Sequence, residues 1–336
     1  MAKLRRVEGE FSDDAIEIAD SIDSPSAIDT TALLGWLPIW KPTGMSSFDV
    51  IRWLKGGLRG LKPRPKIGHT GTLDPFAEGL LLVALGSATR LIPLLEDWHK
   101  TYVAACALGT QTDTLDPTGA VIATAPVPTL TRASVERVLT QFTGKITQTP
   151  PAYSALKQGG VALYRKARRG EEIEIPSRQV QVESLLLLDA TGTELQLEIT
   201  CGSGTYIRSL CRDIALALGT VGHCSTLART ALGPITADDC WHLTDPEEVT
   251  PDAIQANLRP ADWPLDTLPC ATLGSIATES FSHGNRCEAD SMEGESQGIN
   301  QELRVYSAEG EFLGIAMQMT AGSPTVVQPR VVLQAG

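Results

Sequence analysis

The sequence has few aromatic residues and no cysteine spacing that would support a metal site or a disulfide framework. Phe, Trp and Tyr make up 5% of the 336 residues, which argues against the aromatic-rich sugar cleft of a glycoside hydrolase. The seven cysteines are odd in number, scattered, and never spaced Cys-x-x-Cys. This usage argues against structural zinc and disulfides, and it favours the reducing cytoplasm.

Long hydrophobic runs are also missing. No apolar stretch approaches the roughly 18–20 residues of a membrane span. The N-terminal MAKLRRVEGEF has basic residues but no apolar segment behind them, unlike a secretory signal. With an ordinary hydrophobic content of 42%, the chain is long enough for one large domain and a small one.

Charge is distributed unevenly along the chain, whose net charge is −12. Residues 7–40 hold eight acids and no Lys or Arg, whereas residues 41–70 hold seven Lys or Arg against Asp49 alone. A second basic cluster, without acids, consists of Lys157, Arg165, Lys166, Arg168 and Arg169. Local basic patches rather than the total charge neutralise phosphates. For either cluster alone, a solvated helix face is the simpler explanation.

The order of predicted elements indicates an α+β fold. Strand and helix patterns are intermixed without a regular βαβ repeat, which favours a mixed, largely antiparallel sheet with flanking helices. Short β-like runs near the C-terminus are typical of a small barrel. We expect four regions: a disordered acidic extension (1–33), a main domain (34–245), a connection (246–264) and a small β-barrel-like domain (265–336).

Three local patterns predict elements of the main domain. Gly35–Trp40 is apolar and predicts a short strand. Ser46, with Asp49 three residues later, is typical of a helix N-terminus. Apolar residues between Ile207 and Leu218 recur at helical spacing and stop at Gly219, which predicts an amphipathic helix.

The segment most suited to chemistry is residues 67–90. Asp74 precedes Pro75, which favours an extended conformation, and the apolar strand Leu80–Leu85 follows. Together they hold one carboxylate rigidly at the edge of a core sheet. A lone Asp-Pro is usually a turn starter. Asp116, in Leu-Asp-Pro-Thr-Gly, is such a case: it is predicted to lie in a plain hairpin turn without a chemical role.

Six sequence blocks resemble the TruB-type pseudouridine synthases. His69–Pro75 reads H-T-G-T-L-D-P and resembles the catalytic loop of that family. The other blocks agree in order and spacing over about residues 35–235: Lys41–Ser47, Lys100–Tyr102, Gln148–Lys157, and Cys201–Arg208 with Leu227–Arg229.

The resemblance implies an isomerase that converts uridine to pseudouridine at position 55 in the T-loop of tRNA. The reaction breaks and reforms a glycosidic bond after base flipping, so no cofactor and no metal are expected. The resemblance also implies an RNA-gripping thumb over about residues 148–178 and a PUA-like module over 265–336. We expect a cytoplasmic monomer that binds the tRNA T-stem-loop without a membrane or an obligate protein partner.

The resemblance also assigns roles to individual residues. It makes Asp74 the catalytic carboxylate and Arg208 its charge partner, which lowers the pKa of the carboxyl and orients it. Tyr102 stacks on the uracil and could act as a base. The residues expected to bind substrate are His69, which fills the space left by the flipped base, Leu227, which forms an apolar wall, and Tyr206, Lys41, Arg165, Lys166 and Arg168.

Several alternatives remain open at this stage. Asp74 could attack C1′, add to C6, or assist C2′ deprotonation towards a glycal. A non-catalytic tRNA-binding or folding protein would share the basic clusters, but it would not need Asp74, Tyr102 and Arg208 together. A glycoside hydrolase would need a second carboxylate. A guide-RNA-dependent synthase acting on another RNA ranks last, because the chain has no basic tail to recruit partner proteins.

Overall fold

The computed structural model describes residues 33–153, 157–158, 161–162, 175–294, 298–320, 322 and 324–333. The predicted acidic extension, except for its last residue, lies outside this part of the chain, as does most of the predicted thumb. In the described part, no helix is long and apolar enough to cross a membrane.

The described residues form strands and short helices in an intermixed order. The helices are α1 (Ser47–Gly57), α2 (Arg132–Leu139), α3 (Ile207–Ala217), α4 (Pro251–Asn257) and α5 (Ser275–Ser282). The strands are β1 (Gly35–Lys41), β2 (Ile67–His69), β3 (Glu78–Leu85), β4 (Lys100–Leu108), β5 (Thr110–Thr112), β6 (Val121–Thr124), β7 (Gly144–Gln148), β8 (Lys157–Gln158), β9 (Val161–Ala162), β10 (Arg178–Ala190), β11 (Glu194–Cys201), β12 (Gly222–Leu232), β13 (Ile235–Thr236), β14 (Trp241–His242), β15 (Cys270–Leu273), β16 (Cys287–Ala289), β17 (Ser291–Glu293), β18 (Glu302–Ser307), β19 (Phe312–Gln318) and β20 (Thr325–Val332).

A ten-stranded sheet carries the main domain. Its order is β14-β1-β3-β12-β4-β11-β10-β7, with β2 paired to β3 and β13 paired to β12. Most neighbours are antiparallel, and the parallel pairs are β1 with β14 and β12 with β3. A second sheet, of order β16-β20-β19-β18-β15-β17, curls until β15 contacts β16. The predicted α+β class, with a barrel-like C-terminal sheet, is confirmed.

Strand β3 lies at the centre of the molecule and has no solvent face. Leu81, Val83 and Leu85 pack into one core with α1, while Leu80 and Leu82 pack into a second core. This explains why the strand is a continuous apolar run rather than an alternating one. The loop that precedes β3 is therefore attached to a rigid element.

The stretch predicted as a connection contains a helix and packs tightly. Ile254 of α4 is fully buried. Beyond α4, Arg259 and Trp36 exchange two backbone hydrogen bonds of 2.9 and 2.8 Å. The Trp36 indole N–H donates to the Ala261 carbonyl at 2.8 Å. The second core also contains Ile315 and Leu333, so the C-terminal sheet packs directly against the main domain.

Gly79, the second residue of β3, should tolerate no side chain. Its φ is +113°, and a Cβ there would lie 2.5 Å from the Arg229 nitrogen and 2.4 Å from its carbonyl oxygen. We expect Gly79→Ala to lower the free energy of unfolding by about 3 kcal/mol or more, because strain and overpacking add. Chemical denaturation measures this loss.

Gly144 provides the matched control, because its φ is +90° but a Cβ would meet no atom within 4 Å. Gly144→Ala should cost only the backbone strain, about 1–2 kcal/mol. Equal losses in the two variants would mean that the contact with Arg229 does not constrain position 79.

Candidate active site

The loop that carries Asp74 joins β2 to β3 and is pinned to the start of α1. The Ser47 hydroxyl accepts a hydrogen bond from the Leu73 amide at 2.8 Å and donates to the Leu73 carbonyl at 3.1 Å. The Gly44 amide donates to the Pro75 carbonyl at 2.7 Å. Ser46 caps α1 in a capping box with Asp49, as predicted. The turn before α1 and the Asp74 loop therefore form one unit.

Lys41 lies beneath this loop rather than in the cleft. Its side chain is fully buried, and its ammonium donates to the carbonyls of Pro42 at 2.9 Å and Met45 at 2.7 Å, and to that of Ala77. Burial lowers the pKa of Lys41 to about 8. The sequence predicts that Lys41 contacts the substrate. In the structure its ammonium N–H groups bond backbone carbonyls instead, so Lys41 holds the loop in place from inside the protein.

Arg208 is the central residue of the site. It stands in the first turn of α3, and its side chain is only 4% exposed. Its Nε lies 2.8 Å from the Asp74 carboxylate, and its Nη1 lies 3.2 Å from the Asp116 carboxylate. The guanidinium also donates to the carbonyls of Thr114 at 2.9 Å and Tyr153 at 3.0 Å. The predicted pairing of Arg208 with Asp74 is present in the structure.

Asp116 lies in the β5–β6 turn, as predicted, but it is not a plain turn residue. Its side chain is 8% exposed and pairs with Arg208. It also accepts hydrogen bonds from the Thr114 hydroxyl at 2.7 Å and from the Thr118 amide at 3.0 Å and hydroxyl at 2.6 Å. The prediction that it has no chemical role missed this pairing, because the partner is 92 residues away.

The Asp74 carboxyl has a raised pKa. Burial is the largest cause; the Asp116 carboxylate adds to the shift, while Arg208 and Lys41 oppose it. The sequence predicts a lowering by Arg208, and that contribution is present, but desolvation outweighs it. A carboxylate that is costly to ionise and is held by one guanidinium can act as a nucleophile or as a base.

A cleft of about 370 Å³ opens above Asp74. The predicted residues Tyr102, Arg208, His69, Tyr206 and Leu227 all line it, so the structure brings six of the predicted residues together. Other lining residues include Lys100, Arg178 and the Gly202–Thr205 turn. The predicted thumb cations Arg165, Lys166 and Arg168 lie outside the described residues.

Tyr102 and His69 contribute two rings to the lining of this cleft. Burial raises the pKa of the Tyr102 hydroxyl. Burial and the neighbouring Arg229 charge lower the pKa of His69, whose Nδ1 is buried without a hydrogen-bond partner. Both shifts favour the uncharged form of each ring near neutral pH.

Arg229 is a buried cation to which the sequence analysis gave no role. Only 1% of it is exposed, and it donates to the Leu80 carbonyl at 2.7 Å and to the Gly71 carbonyl at 3.2 Å. It thereby ties β12 to both ends of the Asp74 loop. Arg229 belongs to the block Leu227–Arg229, which resembles the family and could have indicated a role for it. The sequence of that block does not show that Arg229 is buried.

The described residues contain no cluster of three or more His, Cys, Asp or Glu side chains suited to a metal ion. The cleft offers the Asp74 carboxylate with its Arg208 guanidinium, a second carboxylate at Glu96, two rings and an apolar wall. This set suits acid–base or nucleophilic chemistry on a planar polar ligand.

Comparisons with known proteins agree with this geometry. Residues 59–207 match the TruB family pseudouridylate synthase (N terminal domain), and residues 208–266 match the tRNA pseudouridylate synthase B C-terminal domain. The chain is 39% identical over 275 residues to a tRNA pseudouridine synthase B of Hydrogenovibrio crunogenus, covering 82% of this chain and 86% of the relative. It is 38% identical over 299 residues to one of Syntrophomonas wolfei, covering 88% and 97%.

A solved structure shares the fold. A chain from the crystal structure of a Cbf5-Nop10-Gar1 complex superimposes with a TM-score of 0.66, covering 90% of this chain and 86% of that chain at 24% identity. This likeness extends over both sheets, so the arrangement of the C-terminal sheet belongs to the same architecture.

The raised pKa of Asp74 predicts a stability effect. The folded protein retains the Asp74 proton to higher pH than the unfolded chain, so stability falls as pH rises from about 3.8 through the raised value. Asp74→Asn removes this loss. We expect the stability of Asp74→Asn relative to the wild type to increase as pH rises from about 4, because the variant has no carboxyl proton to lose. A variant that becomes relatively less stable as pH rises would contradict the direction of the shift.

Proposed function

Because the chain belongs to the TruB family of pseudouridylate synthases, we propose that it isomerises uridine to pseudouridine at position 55, in the T-loop of tRNA. Relatives named tRNA pseudouridine synthase B cover most of the chain and support tRNA as the substrate. The observation that carries the proposal is the Asp74 carboxylate, 2.8 Å from Arg208 at the base of a cleft lined by Tyr102, His69 and Leu227.

Asp74 supplies the reactive group. The reaction cleaves the N1–C1′ bond of uridine, turns the uracil, and forms a bond from C5 to C1′. The C5 proton is lost, and N1 gains one. Nothing is oxidised and no group leaves the site, so one carboxylate that attacks and departs suffices. Arg208 fixes the direction of that carboxylate and stabilises its charge.

The other cleft residues protect and position the base. Tyr102 offers an uncharged ring on which the extracted uracil stacks. Leu227 excludes water, which would otherwise intercept a detached ribosyl intermediate. His69 fills the gap that the base leaves in the RNA loop; base flipping costs a few kcal/mol of unstacking, and such filling offsets part of that cost.

The substrate surface extends beyond the cleft. The basic residues between Arg52 and Lys66 and the predicted thumb neutralise phosphates of the T-stem-loop, and the small C-terminal domain over 265–336 contacts the acceptor end as a PUA-like module. The protein works as a monomer without an obligate partner. All seven cysteines are free thiols, which supports the predicted cytoplasmic location.

The first test is conversion of uridine 55 in an unmodified tRNA transcript by wild type and Asp74→Asn. We expect Asp74→Asn to bind the RNA and form no pseudouridine, because no other carboxylate occupies its position against Arg208. Asp189→Asn, which alters an exposed carboxylate, is the matched control and should retain full activity. Binding by the wild type without conversion would favour a tRNA-folding role or another RNA target.

Asp116→Asn tests the network behind Asp74. Loss of its charge leaves Arg208 less firmly held, so the single-turnover rate at neutral pH should fall about 10- to 100-fold, the effect of one charge-assisted hydrogen bond. Because Asp116 raises the pKa of Asp74, the acid limb of the pH–rate profile should move to lower pH. A limb that stays in place or moves to higher pH would contradict this coupling.

A further inference from the structure

Arg178 stands where the predicted thumb rejoins the sheet. It is the first residue of β10 and pairs with Gln148, the last residue of β7, so the two ends of the 148–178 segment meet there. Its side chain lines the same cleft as Asp74. It lies outside the sequence blocks that resemble the TruB-type synthases.

Two neighbours hold the Arg178 guanidinium in place. It lies over the Tyr206 ring, 4.9 Å from the ring centroid, and its Nη2 donates to the Gly204 carbonyl. Tyr206 is itself fixed, because its backbone N–H and C=O bond the Gln148 side chain at 2.8 and 3.1 Å. A stacked guanidinium loses little freedom when it binds a ligand.

The charge of Arg178 is not neutralised by the described residues. No carboxylate among them lies within ion-pair distance of it, and its side chain contacts the Tyr206 ring and the Gly204 carbonyl. The other arginine that lines the cleft, Arg208, is paired with both Asp74 and Asp116. A fixed cation that lines the cleft and is not paired with a described carboxylate is suited to an incoming anion.

We propose that Arg178 binds a backbone phosphate next to the extracted uridine and thereby holds the target nucleotide over Asp74. The inference rests on the proposed function, since it takes RNA as the ligand. A phosphate fits better than a uracil carbonyl because it supplies a full negative charge and several acceptor oxygens for a planar donor group. The Arg178 charge also offsets the repulsion between that phosphate and Asp74.

The test measures how the affinity for RNA depends on salt. The dissociation constant of an unmodified T-stem-loop RNA is measured from low to physiological KCl for wild type, Arg178→Gln and Arg178→Lys. Each phosphate contact contributes about 0.7–0.9 to the slope of log affinity against log salt. Arg178→Gln should reduce the slope by about that amount and weaken binding about 10-fold at physiological salt.

Arg178→Lys should retain the slope but bind more weakly than wild type, because a lysine keeps the charge without the planar stack on Tyr206. Arg137→Gln is the matched control: it removes an exposed arginine of α2 that does not line the cleft, and its slope should equal that of the wild type.

An unchanged salt-dependence slope for Arg178→Gln would overturn the proposal. If, in addition, the single-turnover rate at saturating RNA were lost, Arg178 would have a role in building the cleft and not in binding a phosphate. If Arg178→Gln fails to fold, Arg178→Lys decides alone: a reduced slope would contradict a pure charge contact. Conversion by the wild type is assayed in parallel, so failure of the proposed function is seen there and not in the slopes.

Discussion

Arg208 holds the site together because a buried guanidinium requires negative partners. Taking its charge out of water is costly, and removing one partner leaves an uncompensated charge. Its partners come from separate parts of the chain: Asp74 from the loop before β3, and Asp116 from the β5–β6 turn. The Asp74 loop, the β5–β6 turn and α3 must therefore come together for Arg208 to be buried with its partners. Folding of the sheet and assembly of the site are in this sense one event.

The loop that carries Asp74 is fixed by buried polar groups rather than by apolar contacts alone. The Ser47 hydroxyl bonds the amide and the carbonyl of Leu73, and the Lys41 ammonium donates to the Ala77 carbonyl. The Arg229 guanidinium donates to the carbonyls of Gly71 and Leu80. Each of these groups is buried and satisfied by backbone partners, so displacement of the loop would leave donors unpaired. Rigid support of this kind is what a reactive carboxylate needs.

The sequence predicted those features that depend on local pattern. Strand β1, the capped helix α1 and the helix that carries Arg208 follow from periodicity and capping, and Asp74 was identified from its motif. Long-range pairing was out of reach: Asp116 has the local sequence of a turn, and nothing nearby indicates a guanidinium 92 residues away. Lys41 shows a related limit, because a basic residue near a motif suggests phosphate binding while its burial depends on the tertiary fold.

Asp116 has two effects on Asp74. By holding Arg208 it keeps the guanidinium in the position from which it orients the reactive carboxylate; by its own negative charge it raises the Asp74 pKa. A carboxylate paired with a wholly free arginine would be easily ionised but weakly basic. Because Arg208 is shared between two carboxylates, it still orients Asp74 but neutralises less of the Asp74 negative charge. The second acid therefore tunes the first and need not touch the substrate.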